Sequence, residues 1–241
     1  MNPETILEAK RIIKEIRKTS ALLTRTDVAI CPSLVHANLV LSAKSKAPLE
    51  LGIQNVYHEE SGAFTGEISA PMVRDLGASY VIVGHSERRA MGETDEIVSK
   101  KARSVIDAGM TAVVCVGEKV RDAQGAHLDP LRDQIKNSLA GITKKSSKYI
   151  VLAYEPIWAI GAKEAMDPAV VQEMAIFIRK ILSDMYGQDE ASSIKILYGG
   201  SVNFRNASDI VSRGGVDGLL VGRESVNPPG FVELLRVIDQ L

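Results

Sequence analysis

The chain holds 241 residues with a formal net charge of −1, 45% hydrophobic and 24% charged residues. This is the composition of a globular protein long enough for one large domain or two small ones; no basic excess marks a nucleic-acid binder, and no charge block marks a membrane surface. No apolar run approaches the roughly 20 residues of a membrane-spanning helix. Residues 1–6 lack a basic region ahead of an apolar core, so a cytoplasmic setting with neither membrane nor nucleic-acid partner is expected.

The first predicted element is a helix. Ile6, Ala9, Ile12, Ile13 and Ile16 recur at helical spacing, with Asn2 as the expected N-cap and Pro3 at the first helical position. Short apolar runs rich in valine and isoleucine follow at Val28–Cys31, Glu50–Gln54, Tyr80–Val83, Thr111–Val116, Tyr149–Tyr154, Ile194–Tyr198 and Gly218–Val221. Helical periodicity fills the intervals. One such helix opens at Pro168 and carries Val171, Met174, Ala175, Ile178 and Leu182 on its apolar face. Strand and helix alternating without a Pro/Gly/Ser-rich linker predict a single α/β domain over residues 1–241, built on a parallel sheet.

The count refines this. Seven strands and about eight helices, beginning with a helix, predict a (β/α)8 barrel whose first strand is missing; a closed barrel needs eight strands, each ahead of its helix, in about 250 residues. An open doubly wound sheet is the alternative. It would begin with a strand and a glycine-rich nucleotide loop, and no G-x-G-x-x-G follows any predicted strand. Cys31 and Cys115, the two cysteines, fall in predicted strands and read as reduced core residues. The cysteines and the four histidines show no metal-ligand spacing, so no metal site is expected.

In such a barrel the C-terminal strand ends build the active site. In order they read Gln54-Asn55, Gly84-His85-Ser86-Glu87-Arg88-Arg89, Gly117-Glu118, Glu155-Pro156, Gly199-Gly200-Ser201 and Gly222-Arg223. Glu155 ends a run buried on both faces; a carboxylate drawn out of water there suits general-base work, whereas the plainer reading is a helix cap or a solvated loop acid. His85 is either a core histidine or a proton donor facing Glu155, and such a pair would enolise a carbonyl compound. His36, His58 and His127 read as ordinary helix or loop residues. The glycines of the last two strand ends either shape tight turns or let backbone N–H groups approach a phosphate.

Over essentially its whole length the chain resembles the triosephosphate isomerase family. The likeness is carried by Gln54-Asn55, Glu60–Ser69, Val83–Arg89, Cys115–Glu118, Ala153–Gly161, Tyr198–Val202 and Leu220–Gly222, in the family's order and spacing. The resemblance implies the TIM barrel and the interconversion of dihydroxyacetone phosphate and D-glyceraldehyde 3-phosphate, with no cofactor. It implies that Glu155 shuttles the proton, that His85 polarises the carbonyl as a neutral imidazole, that Ser86 holds Glu155 in the open state and that Glu87 supports from behind. Gly161, Ser201, Gly222 and the backbone of Arg223 would bind the phosphate. Pro156, Ile157, Trp158, Ala159, Ile160, Ala162, Lys163, Glu164, Ala165 and Met166 would form a lid. Gly62–Ser69, with Phe64, Thr65, Gly66 and Glu67 at its tip, resembles a dimer loop, which implies a homodimer.

The chain also departs from the family. The family's first strand ends in Asn-x-Lys-Met-Asn, and this chain opens at Met1-Asn2, so the active-site asparagine and lysine are missing. Lys10, Lys14 and Lys18 fall on a helix expected outside the barrel. The chain is therefore expected to begin at an internal methionine of a longer reading frame, with much-reduced activity, an opened barrel and a weakened dimer. The lid reads Gly161-Ala-Lys-Glu-Ala-Met-Asp167 where the family usually has a Gly-Thr-Gly-Lys-like stretch and a small-residue second hinge, and Arg223 stands where a glycine is common. The alternatives are a non-catalytic phosphate-binding or scaffolding barrel of the same descent, and an enzyme for another small phosphorylated sugar.

Overall fold

The computed structural model describes residues 2–41, 49–122, 124–160 and 166–241. Helices and strands alternate along them: α1 Ile6–Ser20, β1 Val28–Ile30, α2 Ala37–Leu41, β2 Leu49–Ile53, α3 Ala70–Asp75, β3 Tyr80–Val83, α4 Ser86–Ala90, α5 Asp95–Asp107, β4 Thr111–Val116, α6 Leu128–Ser138, β5 Ile150–Tyr154, α7 Pro168–Tyr186, α8 Gln188–Ser193, β6 Lys195–Tyr198, α9 Ala207–Arg213, β7 Gly218–Leu219 and α10 Pro228–Asp239.

The first helix begins later than its sequence signals suggest. Thr5, not Asn2, is the N-cap: its hydroxyl accepts the Glu8 N–H at 3.2 Å, while the Asn2 side chain accepts instead from the Ser33 hydroxyl at 2.6 Å. Ala9, Ile12, Ile13 and Ile16 are buried as expected, but Ile6, in the uncovered first turn, is exposed. Lys10, Lys14 and Lys18 are also exposed on this helix. The α7 helix opens at Pro168 behind the Asp167 side-chain cap, and Val171, Met174, Ala175, Ile178 and Leu182 are all buried.

All seven described strands run parallel in the order β1-β2-β3-β4-β5-β6-β7. Chain order equals spatial order, so there is no reversal point of the kind a doubly wound sheet requires. The alternating residues of the strands part into two layers. Val28, Leu51, Val81, Val114, Leu152 and Ile196 join the helices in the large outer core. Ile82, Val113, Cys115 and Ala153 form a smaller inner cluster. Helices thus cover one face while the strands' own side chains fill the other, the layering of a TIM-type α/β fold.

Among the described residues β1 and β7 are the two ends of this sheet, and both are shorter than the apolar runs that predicted them. Each pairs on one side only, which leaves less of the strand held by ladder hydrogen bonds. The inner layer is correspondingly open at this margin: Ala29 is exposed and Cys31, Leu197 and Leu220 are half-buried. Because the strands are parallel, Gly84, Gly117, Glu155 and Gly199 all follow strand ends on the same side of the sheet.

Candidate active site

Glu155 follows β5 directly and is 3% exposed. Its N–H continues the ladder by donating to the Val116 carbonyl at 2.7 Å. Two glycines make room for it. A methyl group at Gly117 would overlap the Glu155 carbonyl oxygen, and one at Gly199 would stand 2.8 Å from the Glu155 Cγ. The Glu155 main chain therefore lies against bare backbone on β4's continuation, and its side chain against bare backbone on β6's continuation. Sequence reasoning read Gly199-Gly200 as turn or phosphate glycines. The structure adds a packing cause: Gly199 lies against Glu155, and Gly200 against the Tyr198 ring.

The two carboxylate oxygens have different partners. Oε1 lies 3.0 Å from the His85 Nε2, and Oε2 accepts the backbone N–H of Ser86 at 3.1 Å. It is thus the Ser86 main chain that meets Glu155. His85 stands at the N-cap of α4, where its Nδ1 accepts the Glu87 N–H at 3.3 Å. An accepting Nδ1 assigns the ring proton to Nε2, which then donates to Glu155. The hydrogen bond and charge of Glu155 hold the His85 pKa above the ordinary histidine value, against the opposing effect of burial. Cys115, inside the same layer, has its thiol pushed well up by burial first and by Glu155 second, so it stays protonated.

Glu87 lies near the other ring nitrogen: its side chain is 82% exposed at the start of α4, with Oε2 3.8 Å from the His85 Nδ1. A first-turn acid favours solvent and the helix N-terminus over the buried strand ends.

Sequence reasoning missed Glu118. It is buried, and its Oε1 accepts both the Tyr154 hydroxyl at 2.8 Å and the Trp158 indole N–H at 2.9 Å, while its carbonyl accepts the Ile157 N–H at 3.0 Å. One residue thus anchors the segment that leaves Glu155. The signal for it was an acidic residue one glycine beyond an apolar strand, close to the signal that marked Glu155. Beyond the gap, the Met166 N–H donates to the Tyr198 hydroxyl at 3.3 Å. The Ser201 hydroxyl donates to the Ala159 carbonyl at 3.0 Å. Gly161, Ala162, Lys163, Glu164 and Ala165 lie outside the described residues.

Gly222 precedes the short turn Arg223–Val226, with the Arg223 side chain turned to solvent. The 57–68 loop closes through the Tyr57 N–H on the Ile68 carbonyl at 2.7 Å, and the Phe64 ring, 39% exposed, packs 4.8 Å from the Tyr57 ring. The structure brings Glu155, His85 and Ser86 into contact; it joins Ser201 to the segment after Glu155, and it leaves the Glu87 side chain exposed beside the His85 Nδ1.

Comparison with known proteins bears on this geometry. A family model described as triosephosphate isomerase matches residues 1–238. A triosephosphate isomerase of Endomicrobium trichonymphae is 40% identical over 235 residues, covering 97% of this chain and 94% of that protein. One of Roseiflexus castenholzii is 40% identical over 238 residues, 98% and 94% of the two chains. One of Dictyoglomus turgidum is 36% identical over 235 residues, again 97% and 94%.

Proposed function

The chain belongs to the triosephosphate isomerase family, and from that premise we propose that it interconverts dihydroxyacetone phosphate and D-glyceraldehyde 3-phosphate through Glu155 and His85. The observation that carries the reading is the buried Glu155 carboxylate 3.0 Å from the His85 Nε2. In the free protein these two groups satisfy one another. A substrate entering between them takes over both hydrogen bonds, with a carbon-bound proton towards Oε1 and the carbonyl oxygen towards Nε2. Glu155 removes the proton from C1, leaving an enediolate whose negative oxygen the Nε2–H stabilises. The protonated Glu155 returns the proton to C2, while proton exchange with the imidazole shifts the carbonyl to C1. The test is steady-state turnover of glyceraldehyde 3-phosphate, with a Glu155→Gln variant beside it. Turnover that depends on Glu155 supports the proposal; turnover no different from the variant's overturns it.

The segment from Pro156 to Met166 acts in this reading as the lid, hinged on Glu118 at one end and on Tyr198 at the other. Tyr198→Phe removes the hydroxyl that receives the Met166 N–H, a hydrogen bond worth about 0.5–1.5 kcal/mol. We expect kcat to fall by several-fold to about tenfold with little change in the melting temperature. An unchanged kcat would remove Tyr198 from lid closure. The phosphate is assigned to Gly161, Ser201, Gly222 and the Arg223 backbone; a Ser201→Ala variant with an unchanged KM would remove Ser201 from that set.

The Phe64 loop is proposed to seat in a second copy of the chain, since an exposed aromatic at a braced loop tip suits a partner surface. Sedimentation equilibrium should show a concentration-dependent dimer that Phe64→Asp shifts to monomer. A parent chain monomeric at every concentration would end this proposal.

A further inference from the structure

The residue before His85 is held by two ion pairs, one enclosed and one partly exposed. Gly84 adopts φ +70°, and a Cβ there would meet the Val98 methyls at 2.9 Å and the Arg89 Nη2 at 3.0 Å. Its carbonyl accepts from the Arg89 Nε at 2.7 Å. That guanidinium also pairs with Asp95 and donates through Nη2 to the Cys115 carbonyl at 3.1 Å and the Ser138 hydroxyl at 3.0 Å. On the other side, the Gly84 N–H donates to the Glu93 Oε2 at 3.2 Å. Glu93 pairs through Oε1 with Lys101, whose ammonium also donates to the Asn55 side chain at 2.7 Å. Both members of this second pair are almost fully enclosed.

Buried ion pairs are poor devices for stability, because desolvation offsets much of their attraction. Here one enclosed pair, Glu93–Lys101, ends on the N–H and one partly exposed pair, Arg89–Asp95, ends on the C=O of a single glycine in a left-handed conformation. That glycine's carbonyl belongs to the peptide group that carries His85. Its orientation sets where the imidazole points, and the ring must meet Glu155 at 3.0 Å. We propose that Arg89 and Glu93 are positioning residues that aim His85 by clamping the Gly84 peptide from opposite sides. The assignment rests on the isomerase reading for its catalytic consequence, but not for its structural one.

The test separates the two. The variants are Glu93→Gln, Arg89→Lys and the milder Asp95→Asn, which leaves Arg89 in place without its charge partner. Asp217→Asn serves as the control; that residue pairs with Arg179 just before β7, at the opposite end of the strands. The first readout is the NMR signal of the His85 ring nitrogens and of the Nε2 proton donated to Glu155, in the protein without substrate. The second is kcat and KM for glyceraldehyde 3-phosphate. We expect Glu93→Gln and Arg89→Lys to shift or broaden the His85 signals and to lower kcat by about tenfold or more at nearly constant KM, as a misplacement near 1 Å does. Asp217→Asn should lower the melting temperature and leave the His85 signals in place. Should Arg89→Lys not fold, Asp95→Asn carries the same expectation more weakly. Variants that melt earlier yet keep the parent His85 signals and the parent kcat would overturn the proposal. A parent chain without turnover would instead defeat the isomerase reading, and the NMR signals would still decide the positioning role.

Discussion

Replacing Glu155 by glutamine should slow turnover of glyceraldehyde 3-phosphate by about 10²–10⁴-fold relative to the unsubstituted chain, the range that positioned proton transfer supplies. Glutamine fills the same volume, and its amide oxygen still accepts the Ser86 N–H that Oε2 accepts at 3.1 Å. Basicity is what is lost. Glu155→Asp tests position separately: it keeps the carboxylate but withdraws it by one methylene, and a displacement of about 1 Å costs on the order of 10²-fold. The same glutamine variant has a pH signature. Glu155 holds the His85 pKa above its ordinary value. A raised pKa in the folded state contributes stability that is fully present below the unfolded value near 6.5 and is lost as pH rises through the folded value. In the variant the His85 pKa falls, so stability drops at acid pH and is unchanged by this route at alkaline pH, where the contribution is already absent. A titration of the His85 ring by NMR, with melts on both sides of pH 6.5, reads both effects. A His85 pKa that stays put in the variant would contradict the contact, and undiminished turnover would contradict the general base.

Among the described glycines, Gly117→Ala should be the most damaging alanine substitution. The added carbon would overlap the carbonyl oxygen of Glu155, a backbone atom that has no rotamer to escape into. The two strands are in fixed register just before this point, with Val116 opposite Tyr154. Relief requires β4 and β5 to part where Glu155 leaves the sheet. We expect a loss of about 1–3 kcal/mol in stability from overpacking, together with a fall in kcat of about 10²-fold because Glu155 moves with its backbone. Gly109→Ala is the comparison: open space surrounds that position, so its cost comes from φ +77° alone and should leave kcat unchanged. A Gly117→Ala protein with parent melting temperature and parent kcat would show that the close approach is not needed.

Local sequence carried much of this architecture. The apolar runs at 80–83 and 111–116 became β3 and β4 without adjustment, and the helical face opened by Pro168 became the buried face of α7. Where prediction slipped, two local signals competed. Asn2 and Thr5 are both good N-caps, and Thr5 won because its hydroxyl reaches the Glu8 N–H while Asn2 is drawn to Ser33. At 218–221 the run looked like a full strand, but pairing from one side alone supports the shorter β7.

By itself the sequence determined the alternation of strand and helix, the parallel order that alternation enforces, and the placing of Glu155 and His85 after strand ends. These follow from periodicity and from chain connectivity, which act between neighbours. Only the tertiary structure decided the contacts. It decided that Glu155 rests between Gly117 and Gly199, that Ser86 meets it through the backbone, and that Glu87 faces solvent. It also decided that Glu118 gathers Tyr154 and Trp158, and that Arg89 and Glu93 converge on Gly84. Such contacts join residues on different strands, helices and loops. Their energies depend on distance and burial, and neither is encoded in the spacing of residues along the chain.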